Sequence, residues 1–302
     1  MLYICIGYYY IIKKEVSIIV KIYFFSLLIL NLAFGFFYTQ PASAEPLSYT
    51  HLDAERWVPP QKKISPIFSF NSQVIKGDGL WYLESLAYNT DASEIIAAFK
   101  CHDTAKEHYG RIVVYDGVTH KIKRQYSHEE IWHANDMTYN NSNKTIVLVP
   151  MKDIRAANYL YIFDASTMKK LEEVRVEGID SITGVAYNQS TGGYVVNSNK
   201  DKTFYITDDN FNVQSQFKYH EDATMQSIEI YNDMIYYYCN NIIKTFTMDG
   251  KVDGRYQLTS HGESEGITSL GDGKFLIGFI RKGNTGKYYT LSNLIPNYQI
   301  SH

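Results

Sequence analysis

The stretch HANDMTYN, which begins at His133, brings a histidine, an amide and a carboxylate together within four residues. Side chains of these types act as general acids and bases, and their oxygens bind hard cations such as calcium. Further carboxylates with that potential occur at Glu84, Glu263 and Glu265. Whether they form one site depends on the elements that carry them.

Each of these groups lies in or beside one copy of a short repeated motif. The copies are LESLAYN at 83–89, ANDMTYN at 134–140, ITGVAYN at 182–188, MQSIEIYN at 225–232 and, without the tyrosine, SEGITSL at 264–270. A turn rich in Asn, Asp, Ser and Gly and a second strand-like run follow each copy. In the first four units a third run then ends on Asp before a turn, and a more polar run follows it. Four short strands in a repeated unit are typical of a propeller blade.

The spacing of the motif supports that interpretation. Its tyrosines at 88, 139, 187 and 231 are 51, 48 and 44 residues apart, close to the ~40–50 residues of a blade. We therefore predict an all-β fold, a single β-propeller of five blades with four antiparallel strands each. The segment 67–75 is expected to add a strand to the last blade and close the ring, because an open sheet edge invites aggregation. If that segment belonged to a degenerate extra blade, the count would be six.

The N-terminus differs from the rest of the chain. Two lysines at 13 and 14 precede an apolar run over 22–37, and the sequence ASA at 42–44 supplies the small residues of a signal-peptidase site. We predict a signal peptide at 1–44, a lead-in with the closing strand at 45–80 and the blades at 81–302. The protein is then secreted, free or retained at the cell surface, without a membrane segment after cleavage. An uncleaved anchor is the alternative, because the apolar character extends upstream of residue 22.

Composition excludes some classes of function. The chain has 302 residues with 29 Lys and Arg against 32 Asp and Glu, a formal charge of -3, and no basic tract. Nucleic acid is therefore not an expected partner, and we expect a monomer. After signal removal only Cys101 and Cys239 remain, which could form one disulfide or stay as buried thiols.

The motifs also resemble known families. From about residue 81 onwards, the repeated units open with an AYN-type strand and contain a strand that ends on Asp before a turn. This pattern resembles secreted bacterial propellers of the gluconolactonase, NHL and surface-layer-repeat type. The phrase ESEGIT at 263–268 resembles five-bladed glutaminyl cyclases, although ESLA replaces their TQGL phrase at the first motif. The region HGESE at 261–265 is similar to helveticin-like bacteriocins. These resemblances imply the fold, but not one reaction, because propellers host hydrolases, lyases, isomerases and binding modules.

In a propeller the innermost strands line the central channel, and their first residues meet at one mouth. This logic predicts a ring at that mouth formed by Glu84, Asn135, Thr183, Gln226 and Glu265. Metal candidates are Glu84, Asn135 and Glu265, which as oxygen ligands favour calcium or magnesium over zinc. Candidate catalytic groups are Glu84, His133 and Glu265. Candidate ligand-binding residues are Asn135, Asp136, Gln226, Trp81 and Trp132.

Three functions are compatible with this ring. We prefer a binding module that takes a small molecule, sugar or peptide at the channel mouth, with or without a divalent cation. The second is a hydrolase or cyclotransferase, of lactonase or glutaminyl-cyclase type, that uses the same residues. The third is a helveticin-like extracellular interaction protein that uses the outer blade edges. A purely structural role for the HAND residues competes with all three, because polar side chains line most propeller channels and Asn and Asp favour turns.

Overall fold

A computed structural model describes residues 61–62, 65–71, 81–101, 109–128, 131–151, 158–220, 226–258, 262–281 and 285–292. All of them belong to one unit that extends from Asp53 to His302. These residues form twenty-one strands and no helix. Accordingly, no helix in the described ranges could cross a membrane. The predicted signal peptide at 1–44 lies outside the described residues.

The strands form five sheets, in which consecutive strands are paired antiparallel. Blade 1 consists of β3 (Trp81–Asn89), β4 (Glu94–Cys101), β5 (Gly110–Asp116) and β6 (Ile122–His128). Blade 2 consists of β7 (Asp136–Asn140), β8 (Thr145–Val149), β9 (Tyr159–Asp164) and β10 (Lys170–Arg175). Blade 3 consists of β11 (Ile182–Asn188), β12 (Gly193–Ser198), β13 (Thr203–Thr207) and β14 (Val213–Lys218).

Blades 4 and 5 also use strands from before the first motif. Blade 4 consists of β15 (Ser227–Tyr231), β16 (Met234–Cys239), β17 (Ile242–Thr247) and β18 (Val252–Leu258), and β1 (Gln61–Lys62) pairs parallel with β18. Blade 5 consists of β19 (Glu263–Gly271), β20 (Lys274–Arg281), β21 (Thr285–Ser292) and β2 (Ser65–Asn71). The prediction that an N-terminal strand completes the last blade is confirmed. The pairing of β1 with blade 4 was not predicted, because two residues are too short for a sequence signal.

The five inner strands, β3, β7, β11, β15 and β19, contact one another in a closed ring. The buried apolar residues form five clusters, and each cluster draws its members from two neighbouring blades. The triple tyrosine on β16 shows how a strand serves two interfaces: Tyr237 packs towards blade 3, whereas Tyr236 and Tyr238 pack towards blade 5. Cys101 and Cys239 are buried in different clusters, and no disulfide joins them.

The end of each AYN motif is explained by contacts at the turn. Asn140 Oδ1 accepts hydrogen bonds from the backbone N–H groups of Ser142 and Asn143 at 2.9 and 3.0 Å, which caps its own hairpin. The tyrosine before it reaches the previous blade, where Tyr139 Oη donates to Asp91 Oδ2 at 2.5 Å. The repeated Asp at the end of the third strand likewise accepts hydrogen bonds within its own turn, as at Asp164. These recurring residues therefore serve the blade.

In blades 1, 2 and 4 the side chain after the mouth residue bonds to a neighbouring inner strand or to the segment just before it. Ser85 Oγ donates to the carbonyl of Ala134 at 2.7 Å, and Ser227 Oγ accepts from the backbone N–H of Ile267 at 3.1 Å. In blade 5 this position is Gly266, where a Cβ would lie 2.5 Å from the backbone nitrogen of Leu86. Such proximity leaves no room for a side chain there.

Candidate functional site at the channel mouth

The beginnings of the inner strands converge, as the repeat predicts. Asn135 Nδ2 donates to the carbonyl of Thr183 at 2.6 Å and to that of Gln226 at 3.4 Å, which links blades 2, 3 and 4. Thr183 Oγ1 in turn donates to Asn197 Oδ1 at 2.9 Å. The amide nitrogen of Asn135 is therefore occupied by the scaffold.

Two carboxylates occupy the same level in blades 1 and 5. Glu84 is only 6% exposed and Glu265 only 4%. Burial raises the pKa of Glu84 well above its ordinary value; Lys100 opposes that shift and Glu263 adds to it. Burial also raises the pKa of Glu265, and Glu84 and Glu263 raise it further against the effect of Lys100. The two glutamates therefore affect each other's charge, and the pair keeps a proton at pH values where a surface glutamate has lost it.

Within the described residues, no hydrogen bond reaches the carboxylate of Glu84 or of Glu265. Buried polar groups in proteins normally have such a partner, because an unsatisfied one costs about 1–3 kcal/mol. Among the described residues, the fully buried side-chain atoms without a partner include His133 Nδ1 but no oxygen of Glu84 or Glu265, so the pair is not an unsatisfied buried group of that kind.

His133 is next to this pair. Its Nδ1 lies 3.1 Å from Glu84 Oε2, although the angles are not those of a hydrogen bond. Burial, assisted by Lys100, lowers the pKa of His133 to about 4. The imidazole is therefore neutral at pH 7, and the short distance does not represent an ion pair. A tight turn holds the ring in place, with positive φ angles of 52° at Trp132 and 51° at Ala134.

Lys100 was not identified by the sequence analysis. On β4 it pairs with Tyr82, and its charge acts on Glu84, Glu265 and His133. The signal was present in the hairpin register: a pairing of Asn89 with Glu94 brings residue 100 back to the mouth end of the blade. We call Glu84, Lys100, His133, Glu263 and Glu265 the mouth cluster.

Asp136 is close in sequence to His133 but has another environment. It is fully buried, and its carboxylate accepts hydrogen bonds from Ser227 Oγ at 2.6 Å and from the backbone N–H groups of Val185 at 3.0 Å and Ile228 at 3.1 Å. Burial raises its pKa, and these three donors oppose that effect. Asp136 thus joins blades 2, 3 and 4, and the scaffold takes up three of the about four acceptor sites of its carboxylate.

Glu229 is a second buried carboxylate that the sequence analysis did not single out. Its Oε2 accepts from the backbone N–H of Ser269 at 2.9 Å, and its Oε1 accepts from that of Ile230 at 2.8 Å. Burial raises the pKa of Glu229 to about 7. Like Asp136, it joins neighbouring blades through backbone donors.

Trp81 and Trp132 each precede the inner-strand motif of a blade in the sequence, but they differ in packing. Trp81 is buried in the cluster between blades 5 and 1, with Arg111 Cζ 5.0 Å from the centroid of its ring. Trp132 is half-buried against the cluster between blades 1 and 2. Trp81 therefore contributes to packing, and Trp132 presents the more accessible ring.

The candidate metal ligands supply few oxygens. Calcium takes six to eight oxygen ligands and magnesium requires an octahedron, whereas Glu84, Glu265 and the free oxygen of Asn135 are the donors at this level. The positive charge of Lys100 also acts against a dication. Over the described residues, no group of three or more His, Cys, Asp or Glu side chains has a metal-binding arrangement. The calcium or magnesium site therefore stays a prediction.

No family model matches the chain, and no curated protein matches it. Among solved structures it is similar to U3-55K, with a TM-score of 0.45 and 13% identity over 71% of this chain and 63% of that one. It is similar to the RRP9 WD40 repeats at a TM-score of 0.45 and 13% identity, over 71% of this chain and 62% of that one. It is similar to the Cps50 (Swd1) β-propeller domain of Myceliophteria thermophila at a TM-score of 0.47 and 8% identity, over 76% of this chain and 100% of that one. The chain thus covers less than two thirds of the first two.

Proposed function

We propose that this propeller binds a small ligand at the channel mouth, and that Glu84 and Glu265 are its principal contacts. The observation that carries the proposal is the pair of buried carboxylates without hydrogen bonds from the described residues. The fold does not require them, because Asn135 and Thr183 hold equivalent positions in other blades and bond to the scaffold. A costly arrangement that the scaffold does not need supports a role in binding.

The ligand belongs to the small molecules, sugars or peptides, with a divalent cation as a further possibility if the ligand itself supplies oxygens. A site at the end of a propeller channel is concave and bounded by rigid strands, as small-molecule sites are. His133 lies 3.1 Å from Glu84, and Trp132 and Gln226, which the repeat assigns to the same mouth, would provide aromatic and polar contacts. We expect the protein to act as a monomer.

A second candidate is an enzyme that uses the same cluster. The supporting observation is that a carboxyl group with a raised pKa lies 3.1 Å from a neutral imidazole. Glu84 would act as a general acid, because burial raises its pKa, and His133 as a general base, because its imidazole is neutral at pH 7. Lactones, esters and N-terminal glutaminyl peptides are the substrates to test, since the sequence resembles gluconolactonase-like propellers and glutaminyl cyclases.

The proposed function is tested by thermal unfolding of the purified protein with sugars, amino acids, short peptides and divalent cations, each added separately. A ligand of the native state at a hundred times its Kd stabilises by about 2.7 kcal/mol. We expect the midpoint to rise with at least one compound, and that rise to be lost in Glu84→Gln/Glu265→Gln. The matched control is Glu172→Gln on outer strand β10, which should retain the full shift. A shift that survives in the double variant would place binding elsewhere.

Export is proposed on sequence grounds alone. Expression with residues 1–44 in a secreting host should release a protein whose N-terminal residue is Glu45. Intact-mass measurement of the culture medium would check this. A chain that stays in the membrane fraction at full mass would favour the uncleaved anchor.

A further inference from the structure

The mouth cluster contains both signs of charge, and this mixture defines the ligand more closely. Lys100 pairs with Tyr82 across the β3–β4 hairpin, two residues before Glu84 on β3, and its charge acts on Glu84, Glu265 and His133. Yet it forms no ion pair with any residue that the structure describes, and it is only partly exposed. Among the residues that the structure describes, the cluster thus has a cation without a paired anion beside an acidic pair that accepts no hydrogen bond.

Glu84 and Glu265 accept no hydrogen bond from the described residues, so a ligand of the pair should bring hydrogen-bond donors. A metal ion would bring no donor, and the positive charge of Lys100 acts against a dication. A primary ammonium group brings three N–H donors and one positive charge. Three donors can serve two carboxylates at once, and charge-assisted hydrogen bonds of this kind are the strongest that side chains form. Lys100 repels a monocation half as strongly as a dication at the same distance.

Lys100 then has a role of its own. A ligand with only an ammonium group would leave it without a partner and close to a second positive charge. A ligand that carries a carboxylate beside the ammonium would neutralise Lys100 and keep the charges balanced. Small zwitterions of the amino-acid type have this arrangement. Their groups are a few ångströms apart, which suits a single cluster at the end of a channel.

We propose that the channel mouth binds a small zwitterion of the amino-acid type, whose ammonium group lies between Glu84 and Glu265 and whose carboxylate contacts Lys100. This inference rests on the proposed function, because it assigns the ligand of that site. Trp132 and Gln226 are then available to the side chain of the ligand.

Binding by this mode releases a proton. At pH values where the free pair holds a proton, both carboxylates must be ionised to accept the ammonium group, so that proton passes to solvent. Affinity is therefore expected to rise with pH, by about tenfold per unit, over the range in which the free pair keeps its proton. Glu263, Lys100 and His133 face the pair; His133 is already neutral above pH 5 and adds no charge change there.

The experiment is calorimetric titration of the full-length protein with each L-amino acid in turn, with methylammonium, acetate and calcium chloride as separate probes. We expect at least one amino acid to bind, with heat that differs between buffers because a proton is released. Methylammonium should bind at least tenfold more weakly, and acetate and calcium should give no saturable heat. Calcium binding that disappears in Glu84→Gln/Glu265→Gln would overturn the zwitterion but keep the proposed function.

Variants separate the two halves of the ligand. Lys100→Met should weaken amino-acid binding at least tenfold and leave methylammonium binding unchanged or stronger. Lys169→Met, an exposed lysine in the turn after β9, is the matched control and should change neither. Glu84→Gln/Glu265→Gln should abolish binding of both probes. If amino acids bind equally well to Lys100→Met, the proposal is wrong; if no compound of any class depends on the glutamates, the proposed function itself fails.

Discussion

Asp136 and the Glu84–Glu265 pair are neighbours along one channel, but they have opposite environments. The Asp136 carboxylate accepts three hydrogen bonds from two other blades. The described residues supply no hydrogen bond to either carboxylate of the pair. All three are buried, so burial alone does not distinguish scaffold from site. The number of donors does, because removing a carboxylate that three donors use leaves those donors unpaired, whereas a carboxylate that accepts no hydrogen bond from the described residues is available to a ligand.

This comparison predicts that the largest loss of stability follows from substitution of Asp136. Asp136→Ala leaves the N–H groups of Val185 and Ile228 and the hydroxyl of Ser227 without their acceptor, and each unsatisfied buried donor costs about 1–3 kcal/mol. We expect a loss of about 3–5 kcal/mol in the free energy of unfolding, measured by urea denaturation. Ser227→Ala, which removes one of these contacts, should cost less. A loss below about 1 kcal/mol for Asp136→Ala would mean that the ring does not depend on this carboxylate.

The second-largest loss of stability is expected at the repeated turn that follows each inner strand. Asn140→Ala removes the acceptor for the N–H groups of Ser142 and Asn143 and a 2.6 Å hydrogen bond to Tyr194 Oη. We expect a loss of about 1–2 kcal/mol in the same measurement, as for a lost cap. Asn188 has the equivalent position in blade 3, so Asn188→Ala should give a similar value. A difference of more than about 1 kcal/mol between the two would contradict the view that the motif serves every blade alike.

The fold was predictable because its signal is repeated. A tyrosine and an asparagine that recur every 44–51 residues mark the same hairpin several times, and errors at one copy are corrected by the others. The closing strand was predictable from the unpaired last blade. The site was only partly predictable: the periodicity located Glu84, Asn135 and Glu265 at the mouth. It did not distinguish Asp136 from His133, because hydrogen bonds to other blades are not visible in a local pattern.

Lys100 and Glu229 show the other limit. Both come to the channel through strand register and side-chain direction, which depend on each hairpin being aligned to the residue. A motif search compares inner strands with one another and therefore overlooks a lysine on the second strand. It also overlooks a glutamate at a position where the other blades have Ala or Thr.

The acidic pair should give a smaller effect of the opposite sign to Asp136→Ala. Its folded-state pKa values are raised, so its contribution to stability is complete at pH values below the ordinary pKa of glutamate and decreases as pH rises through the raised values. Glu84→Gln removes this decrease. We expect the variant to be more stable than wild type by about 1 kcal/mol at pH 8, since one pKa unit corresponds to about 1.4 kcal/mol, and less different at pH 4.5. Urea unfolding at both pH values checks this; a variant that is destabilised at pH 8 would show that the carboxylate is satisfied.

His133 provides the smallest effect, and its pH dependence runs the other way. Its folded-state pKa is lowered to about 4, so its contribution is complete above the ordinary value of about 6.5 and is lost as pH falls from there towards 4. His133→Gln removes that acid-induced loss. Because about a third of the side chain is exposed, solvent screening keeps the expected gain below about 1 kcal/mol at pH 4.5, with no change at pH 8.

Unfolding of the single variant and of Glu84→Gln/His133→Gln at both pH values would test the pair together. The contrary outcome is a wild type that gains stability on acidification while His133→Gln does not. It would mean that protonated His133 forms an ion pair with Glu84, and that the two side chains are not both neutral.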